Sequence, residues 1–259
     1  MVNGDYEVFK KSIFTLTKID LSAYKEKQMR RRIETLIGKN NIDSFNAYVD
    51  LIKKDKKKFE EFVNFLTINV SEFYRNPDQW ELMDKKYIPD LISKFGKNLK
   101  IWSAACSTGD EPYSLVMAFS KHIPLNNIKI YATDIDKQVI AQAKTGLYSA
   151  KSIAAVPDDL KKKYFTQVGS SYQISNEIKS RVEFKESNLL KDPYPSNCNL
   201  IVCRNVLIYF TEEAKEEVYK KFNASLVKGG YLFIGSTEQI MNYKELGYLR
   251  ESSFFFTRA

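Results

Sequence analysis

The feature that most constrains this chain is a change of hydrophobic period near Lys100. Beyond it, short apolar runs alternate with amphipathic stretches, a pattern that calls for a mostly parallel sheet with helices on both faces. Strands are expected over Leu99–Ala104, Ile128–Thr133, Arg181–Lys185, Asn199–Cys203, Tyr231–Gly235 and Ser253–Thr257. Helices are expected over Tyr113–Ser120, Lys137–Lys144 and Glu212–Leu226, with Gly229 and Gly230 as a break. The alternation pauses at about 163–185, where polar Gly- and Ser-containing turns separate short apolar pieces. These predict a small antiparallel β-insertion ahead of the Arg181–Lys185 strand.

Upstream, residues 1–70 read as a small helical domain. Leu21, Tyr24, Met29, Ile33, Leu36 and Ile37 recur near one helical turn, with Ser22 placed to cap and Gly38 to terminate. Residues 71–98 then form a connection and a first helix, and residues 99–259 form the α/β domain. A length of 259 residues suits one large domain plus a small one. Hydrophobic residues at 44% exclude a disordered polymer, and no uncharged apolar run approaches the roughly 20 residues of a membrane span. The opening MVNGDYEVFKKS lacks the layout of a secretory signal, so a cytoplasmic location is expected. Cys106, Cys198 and Cys203 form no CxxC pair and, with His122 as the single histidine, offer no standard zinc pattern. Reduced thiols and no metal are therefore expected. The net charge of +8 suits an acidic partner of any class.

Open parallel sheets bind ligands beyond the carboxyl ends of their strands. After the first strand, Ala104, Ala105, Ser107, Thr108 and Gly109 are small enough to let a ligand lie against backbone, and the next helix offers N–H groups. Asp134 closes the second strand 25 positions beyond Gly109, about where a carboxylate accepts ribose hydroxyls. An adenosine-containing cofactor follows. The three-glycine dinucleotide fingerprint and the GxxxxGK[ST] phosphate loop are both missing, so a pyrophosphate is poorly served. Glu111 at the mouth of the turn repels phosphate but attracts an α-amino group, which favours S-adenosylmethionine. Equally, Glu111 and Asp134 are ordinary acidic residues at a helix start and a strand end, and spacing alone does not choose between the two readings.

Four segments in order, TINVSEFYRN, WSAACSTGDEPYS, YATDID and CRNVLIYF, resemble the signatures of the CheR chemotaxis receptor methyltransferases, and the resemblance covers nearly the whole chain. It implies a helical N-terminal domain and a class I methyltransferase domain carrying a small inserted β-subdomain. It further implies S-adenosylmethionine as cofactor, S-adenosylhomocysteine as product, and methyl-ester formation on glutamate side chains of chemoreceptors. By the same resemblance Asn69, Ser71 and Arg75 reach the cofactor, Glu111 and Asp134 hold its amino group and ribose, Asn188 and Leu189 lie beside the adenine, and Arg204 and Asn205 lie beside the methionine part. Arg75 and Tyr209 frame the transferring methyl and the incoming glutamate, and are the two catalytic candidates. Asp110 stands where the family often has Glu. Without that pattern Arg75 and Arg204 read as surface ion-pair partners, Tyr209 and Phe210 as core aromatics, and Asn205 as a helix cap. His122 reads as a helix-end residue complementing the dipole, and Cys203 as a buried thiol.

A glutamate side chain, with a reference pKa of about 4.3, is already the ionised nucleophile near neutral pH, so this chemistry needs no general base. For a partner surface, Lys25–Arg32 packs five basic residues and one acidic residue into about two helical turns. Lys27, Arg30 and Arg31 are expected on one exposed face, opposite Met29 and Ile33. Such a face also suits nucleic acid; the resemblance assigns it to the cytoplasmic methylation helices of transmembrane chemoreceptors. The insertion has only Gly169 where some family members use a Gly-x-Gly loop to tether a receptor peptide, so direct recognition of those helices is expected. A nucleic-acid methyltransferase is the rival enzyme, but the [ND]PP[YF] motif and a Pro-Cys nucleophile are both missing. A cofactor-binding sensor without transfer activity is the non-enzymatic rival, opposed by retention of Arg75 and Tyr209. The expected protein is a monomer with no nucleic-acid partner and no insertion into membrane.

Overall fold

The computed structural model describes Val2, residues 4–67 and residues 69–259. The chain divides into two compact units, Met1–Asn69 with Leu207–Glu217, and Val70–Val206 with Val218–Ala259.

The smaller unit is built on four helices. Asp5 accepts the Glu7 N–H at 2.8 Å and opens α1 (Tyr6–Thr17). α2 (Glu26–Lys39), α3 (Phe45–Lys54) and α4 (Lys56–Thr67) follow. Phe9, Ile13, Ile33, Phe45, Tyr48 and Phe62 are buried between them. The Phe9 ring lies 4.8 Å from Phe45 and meets Phe62 edge-on at 6.3 Å, an arrangement aromatic rings favour. The apolar period places α2 correctly, but both expected ends differ. Ser22 sits in a separate 3-10 turn, Leu21–Ala23, capped by Asp20. Gly38 is inside α2, and Asn40 closes the helix by donating to the Leu36 carbonyl through both its N–H and its side chain. At its start α2 has no side-chain cap, and Lys25 N–H instead donates to the Tyr209 carbonyl at 2.9 Å. Thr211 N–H donates to Ala23 at 2.8 Å, and the Tyr24 ring meets Phe210 edge-on at 4.9 Å. These contacts bring Leu207–Glu217 into the helical unit.

The larger unit opens with α5 (Pro77–Leu82) and α6 (Ile88–Phe95), joined by a π turn at Met83–Tyr87. Then come β1 (Ile101–Ala104), α7 (Asp110–Phe119), β2 (Ile130–Asp134), α8 (Lys137–Thr145) and β3 (Leu147–Ser149). α9 (Asp158–Tyr164), β4 (Phe165–Val168), β5 (Ser171–Ile174), α10 (Asn176–Lys179) and β6 (Val182–Glu186) follow. The chain ends with β7 (Cys198–Cys203), α11 (Glu212–Ser225), β8 (Leu226–Ile234), β9 (Tyr248–Arg250) and β10 (Phe255–Arg258). One sheet has the order β6-β2-β1-β7-β8-β10-β9. Its first five strands are parallel, and β10 is antiparallel to both β8 and β9. This is the class I arrangement that the family resemblance implies. β7 is buried at every position, which is why its sequence shows no polar alternation; its one amide side chain, Asn199, accepts the Lys100 N–H at 2.8 Å.

Two expectations need correction. The β-insertion is the sheet β3-β5-β4, so it starts at Leu147 rather than near 163, while β6 pairs with β2 in the main sheet, as expected for the Arg181–Lys185 strand. β3 has only three residues and two of its side chains are exposed, so it has no apolar pattern to betray it. Gly229 and Gly230 do not break β8, because the ladder with β7 shifts register between Cys198 and Leu200 and absorbs them as an irregularity. Among the described residues no helix is long and apolar enough to cross a membrane.

The core of this unit runs from the main sheet into the insertion, joining Tyr113, Val202 and Phe233 to Tyr148, Phe165 and Ile174. Its densest aromatic contact is a stack in which Phe255 lies between Tyr87 at 3.8 Å and Phe233 at 4.2 Å. Phe255→Ala is expected to cost about 3–5 kcal/mol, read as a lowered denaturant midpoint at unchanged slope.

Candidate active site

Parallel register sets the site. Ala104 of β1 is level with Thr133 of β2, Asp134 with Glu186 of β6, and Cys203 of β7 with Ile234 of β8. The loops that leave these strands therefore share one edge of the sheet, where the strand order reverses about β1.

The turn after β1 is wound tightly, with Ala105 (φ 62°), Ser107 (φ 47°) and Gly109 (φ 89°) all left-handed. The first two are not glycines, so the conformation is held by the surroundings. Cys106 N–H donates to the Thr133 carbonyl at 2.9 Å, Gly109 N–H to the Cys106 carbonyl at 3.0 Å, and Ser107 N–H to Asp134 Oδ2 at 2.8 Å. These N–H groups are consumed within the fold and form no phosphate cradle. Gly109 also has a different role from the one expected. A Cβ there would lie 2.8 Å from Ala143 Cβ and 3.1 Å from the Tyr148 hydroxyl, so the glycine admits neighbouring side chains and a left-handed turn rather than a ligand.

Four acidic side chains surround this edge. Asp134 is buried and also accepts Asp136 N–H at 3.0 Å. Burial pushes its carboxyl up to about 6, against the pull of the Asp136, Ser107 and Ile135 N–H groups. Glu111, on the first turn of α7, accepts the Ser103 hydroxyl at 2.8 Å and has Arg204 Nη1 3.9 Å away. Burial raises it to about 7 despite Arg204 and Ser103, and the neighbouring Glu238 adds to the rise. Asp110 is buried and accepts hydroxyls from Thr108, Ser152 and Ser71, so Ser71 ties the start of this unit to the turn. Glu238 accepts backbone N–H groups of Asn205, Val206 and Gly235.

Arg204 follows β7 and is buried. Its Nη2 donates to the Arg75 carbonyl at 2.7 Å, Gln79 Oε1 at 2.8 Å and Asn76 Oδ1 at 3.0 Å, while the guanidinium lies 4.7 Å from the Phe233 ring. The reading of Arg204 as a surface ion-pair partner is thereby excluded. Arg75 is half-buried, its carbonyl also takes the Trp80 indole N–H at 3.0 Å, and it stands between left-handed Tyr74 (φ 51°) and Asn76 (φ 61°). Asn205 is left-handed (φ 62°). At the end of β6, Asn188 Oδ1 accepts Leu190 N–H at 2.9 Å, and Leu189 is buried with its carbonyl accepting the Tyr194 hydroxyl at 2.6 Å.

Arg75, Glu111, Asp134, Asn188, Leu189, Arg204 and Asn205, with Ser71, thus belong to one unit. Tyr209 and Asn69 belong to the helical unit, where Asn69 Nδ2 donates to Asn64 Oδ1 and Thr67 Oγ1, each at 2.8 Å. Lys27 and Arg31 are exposed on α2. Arg30 is not a free cation on that face: it pairs with Glu34 at 3.1 Å and lies over the Tyr6 ring at 5.3 Å. His122 follows α7, but its partner is Asp84 at 2.7 Å rather than helix carbonyls alone. Cys203 is fully buried, and burial raises its thiol well above the ordinary range. Sequence reasoning missed Gln79 and Glu238. The available signal for Glu238 was a carboxylate in the loop after a buried strand, at the same sheet edge as Glu111 and Asp134.

The site suits a cationic adenosyl ligand better than a phosphorylated one. Its outstanding charges are carboxylates, and Ser107 Oγ, Asn205 Oδ1 and Arg204 Nε are buried without a hydrogen-bond partner among the described residues. Also among the described residues, no three His, Cys, Asp or Glu side chains are grouped to hold a metal.

Comparison with known proteins agrees with this chemistry. Residues 4–67 match the all-alpha domain of CheR methyltransferases, and residues 69–255 match the CheR methyltransferase SAM-binding domain. The chemotaxis protein methyltransferase of Listeria innocua is 38% identical over 98% of this chain and 97% of its own length. Chemotaxis protein methyltransferase 1 of Pseudomonas aeruginosa is 32% identical over 93% of this chain and 92% of its own. With both units matched and the strand-end carboxylates in place, the chain belongs to the CheR methyltransferase family and is an S-adenosylmethionine-dependent methyltransferase.

Proposed function

We propose that this enzyme esterifies glutamate side chains on the methylation helices of transmembrane chemoreceptors, acting as a monomer in the cytoplasm. The observation that carries the reading is that both units, the helical one and the SAM-binding one, match a family whose relatives are chemotaxis protein methyltransferases. When bound, S-adenosylmethionine supplies an electrophilic methyl group on a sulfonium. Glu111 and Asp134 would hold the amino group and ribose, Ser71 would add a polar contact, Asn188 and Leu189 would flank the adenine, and Arg204 and Asn205 would face the methionine portion. Arg75 spends one N–H on the Val70 carbonyl at 3.2 Å and offers the rest of its guanidinium to the substrate carboxylate. Because the substrate is ionised at neutral pH, rate enhancement comes from orientation and from excluding water.

The substrate is tested by incubating the enzyme with methyl-labelled S-adenosylmethionine and receptor membranes or nucleic acid. Label on receptor protein that leaves as methanol in mild base is expected, and Arg75→Ala should abolish most of it; base-stable label, or label on nucleic acid, would refute the assignment.

Glu111 gives a second expectation with a definite sign. Burial pushes its carboxyl up to about 7, above the ordinary range, so its burial costs least in acid and that contribution to stability is lost as pH rises toward and through 7. A bound ammonium favours the ionised form, so binding should expel a proton below that pH. Calorimetric affinity for S-adenosylhomocysteine should tighten from about pH 5.5 to about 7 and then level, and Glu111→Gln should bind more weakly with a flatter profile.

Receptor docking is assigned to the exposed cations of α2. Lys27→Glu with Arg31→Glu should lower the methylation rate about tenfold at sub-saturating receptor in low salt, with a smaller loss at high salt. An unchanged rate would remove these residues from the interface.

A further inference from the structure

The corner that follows β7 is held by a single side chain. Glu238 is only 4% exposed, and its Oε2 accepts Gly235 N–H at 2.7 Å and Asn205 N–H at 2.9 Å, while Oε1 accepts Val206 N–H at 3.1 Å. Three donors from two different loops thus converge on one carboxylate. The contact is close as well as polar. A Cβ on Gly235 would stand 2.7 Å from Asn205 N and 2.8 Å from Glu238 Oε2, so only glycine lets the two loops meet. Asn205 itself is held left-handed, its Nδ2 reaches Thr237 Oγ1 at 3.3 Å, and its Oδ1 is buried and unpartnered among the described residues.

A buried carboxylate is a costly way to join two loops, since neutral carbonyls or water satisfy N–H groups without desolvating a charge. What the carboxylate adds is a fixed orientation: two oxygens in a plane accept three N–H groups only when the Asn205–Val206 peptide and Gly235 are held in one arrangement. That arrangement sets the backbone from which Arg204 and Asn205 project. The charge of Glu238 also acts on both neighbours across the crevice, favouring the cationic form of Arg204 and disfavouring ionisation of Glu111.

We infer that Glu238 is a positioning residue of this methyltransferase: it clasps the corner after β7 to the end of β8 and so aims Asn205 and Arg204 at the methionine portion of the cofactor. This rests on the placement of Asn205 beside the cofactor proposed above. Glutamine cannot replace it, because one of its two ends is a donor and would face an N–H.

The test uses the full chain and three variants, Glu238→Gln, Gly235→Ala and Asn205→Ala, each shown to be folded by circular dichroism at the assay temperature. The dissociation constant for S-adenosylhomocysteine is measured by calorimetry, and KM and kcat are measured for S-adenosylmethionine. Glu238→Gln and Gly235→Ala are each expected to weaken binding at least about tenfold and to raise KM by a similar factor, with kcat at saturation changed less. A residue that only stabilised the fold would lower the melting temperature and leave the affinity of the folded protein unchanged. If Asn205→Ala weakens binding but neither clasp variant does, the inference is overturned and the site stands. If Asn205→Ala is also neutral, the proposed contact at this corner falls and the inference with it. Should Glu238→Gln not fold, Gly235→Ala decides by the same threshold.

Discussion

Burial of carboxylates at the shared edge of five parallel strands is the constraint on which the chemistry of this enzyme depends. Glu238 and Asp134 each take three backbone N–H groups, and Asp110 takes side-chain hydroxyls. Glu111 has a single hydroxyl and a guanidinium 3.9 Å away. Burial pushes Glu111 up to about 7 and Asp134 up to about 6, in each case against the pull of those partners.

Backbone strain accompanies the charges. Tyr74, Asn76, Ala105, Ser107 and Asn205 all adopt left-handed conformations that side chains ordinarily avoid, and all lie in loops around this edge. The strain is held by specific bonds. Arg204 and Trp80 hold the Arg75 carbonyl, Asp134 holds Ser107, and Glu238 holds Asn205. A network of this kind fixes the site before a ligand arrives, which is what orientation-driven catalysis requires.

The strands that carry the site were legible because their residues are buried on both faces. β1, β2 and β7 announce themselves as short, mostly apolar runs without polar alternation, and the turn CSTGDEP stands out between one of them and a helix. Glu111 and Asp134 could be found by spacing from there, though choosing their ligand needed the family pattern. What escaped was set by partners distant in sequence. The start of α2 is satisfied by Tyr209, the register shift of β8 is set by β7, and the importance of Glu238 exists only once Asn205 and Gly235 have been brought together. The exposed edge of the insertion escaped for the opposite reason, since β3 buries too little to leave a period.

The pairing of Lys25 with Tyr209 and of Ala23 with Thr211 bears on how the protein is made. On the ribosome, the four N-terminal helices emerge well before the segment that completes their hydrogen bonding, and at roughly 5–20 residues per second that segment arrives on the order of ten seconds later. Until then the Tyr24 ring lacks Phe210, and the nascent helical bundle exposes a surface that only the later chain can cover. The first domain to be synthesised is therefore among the last to be finished.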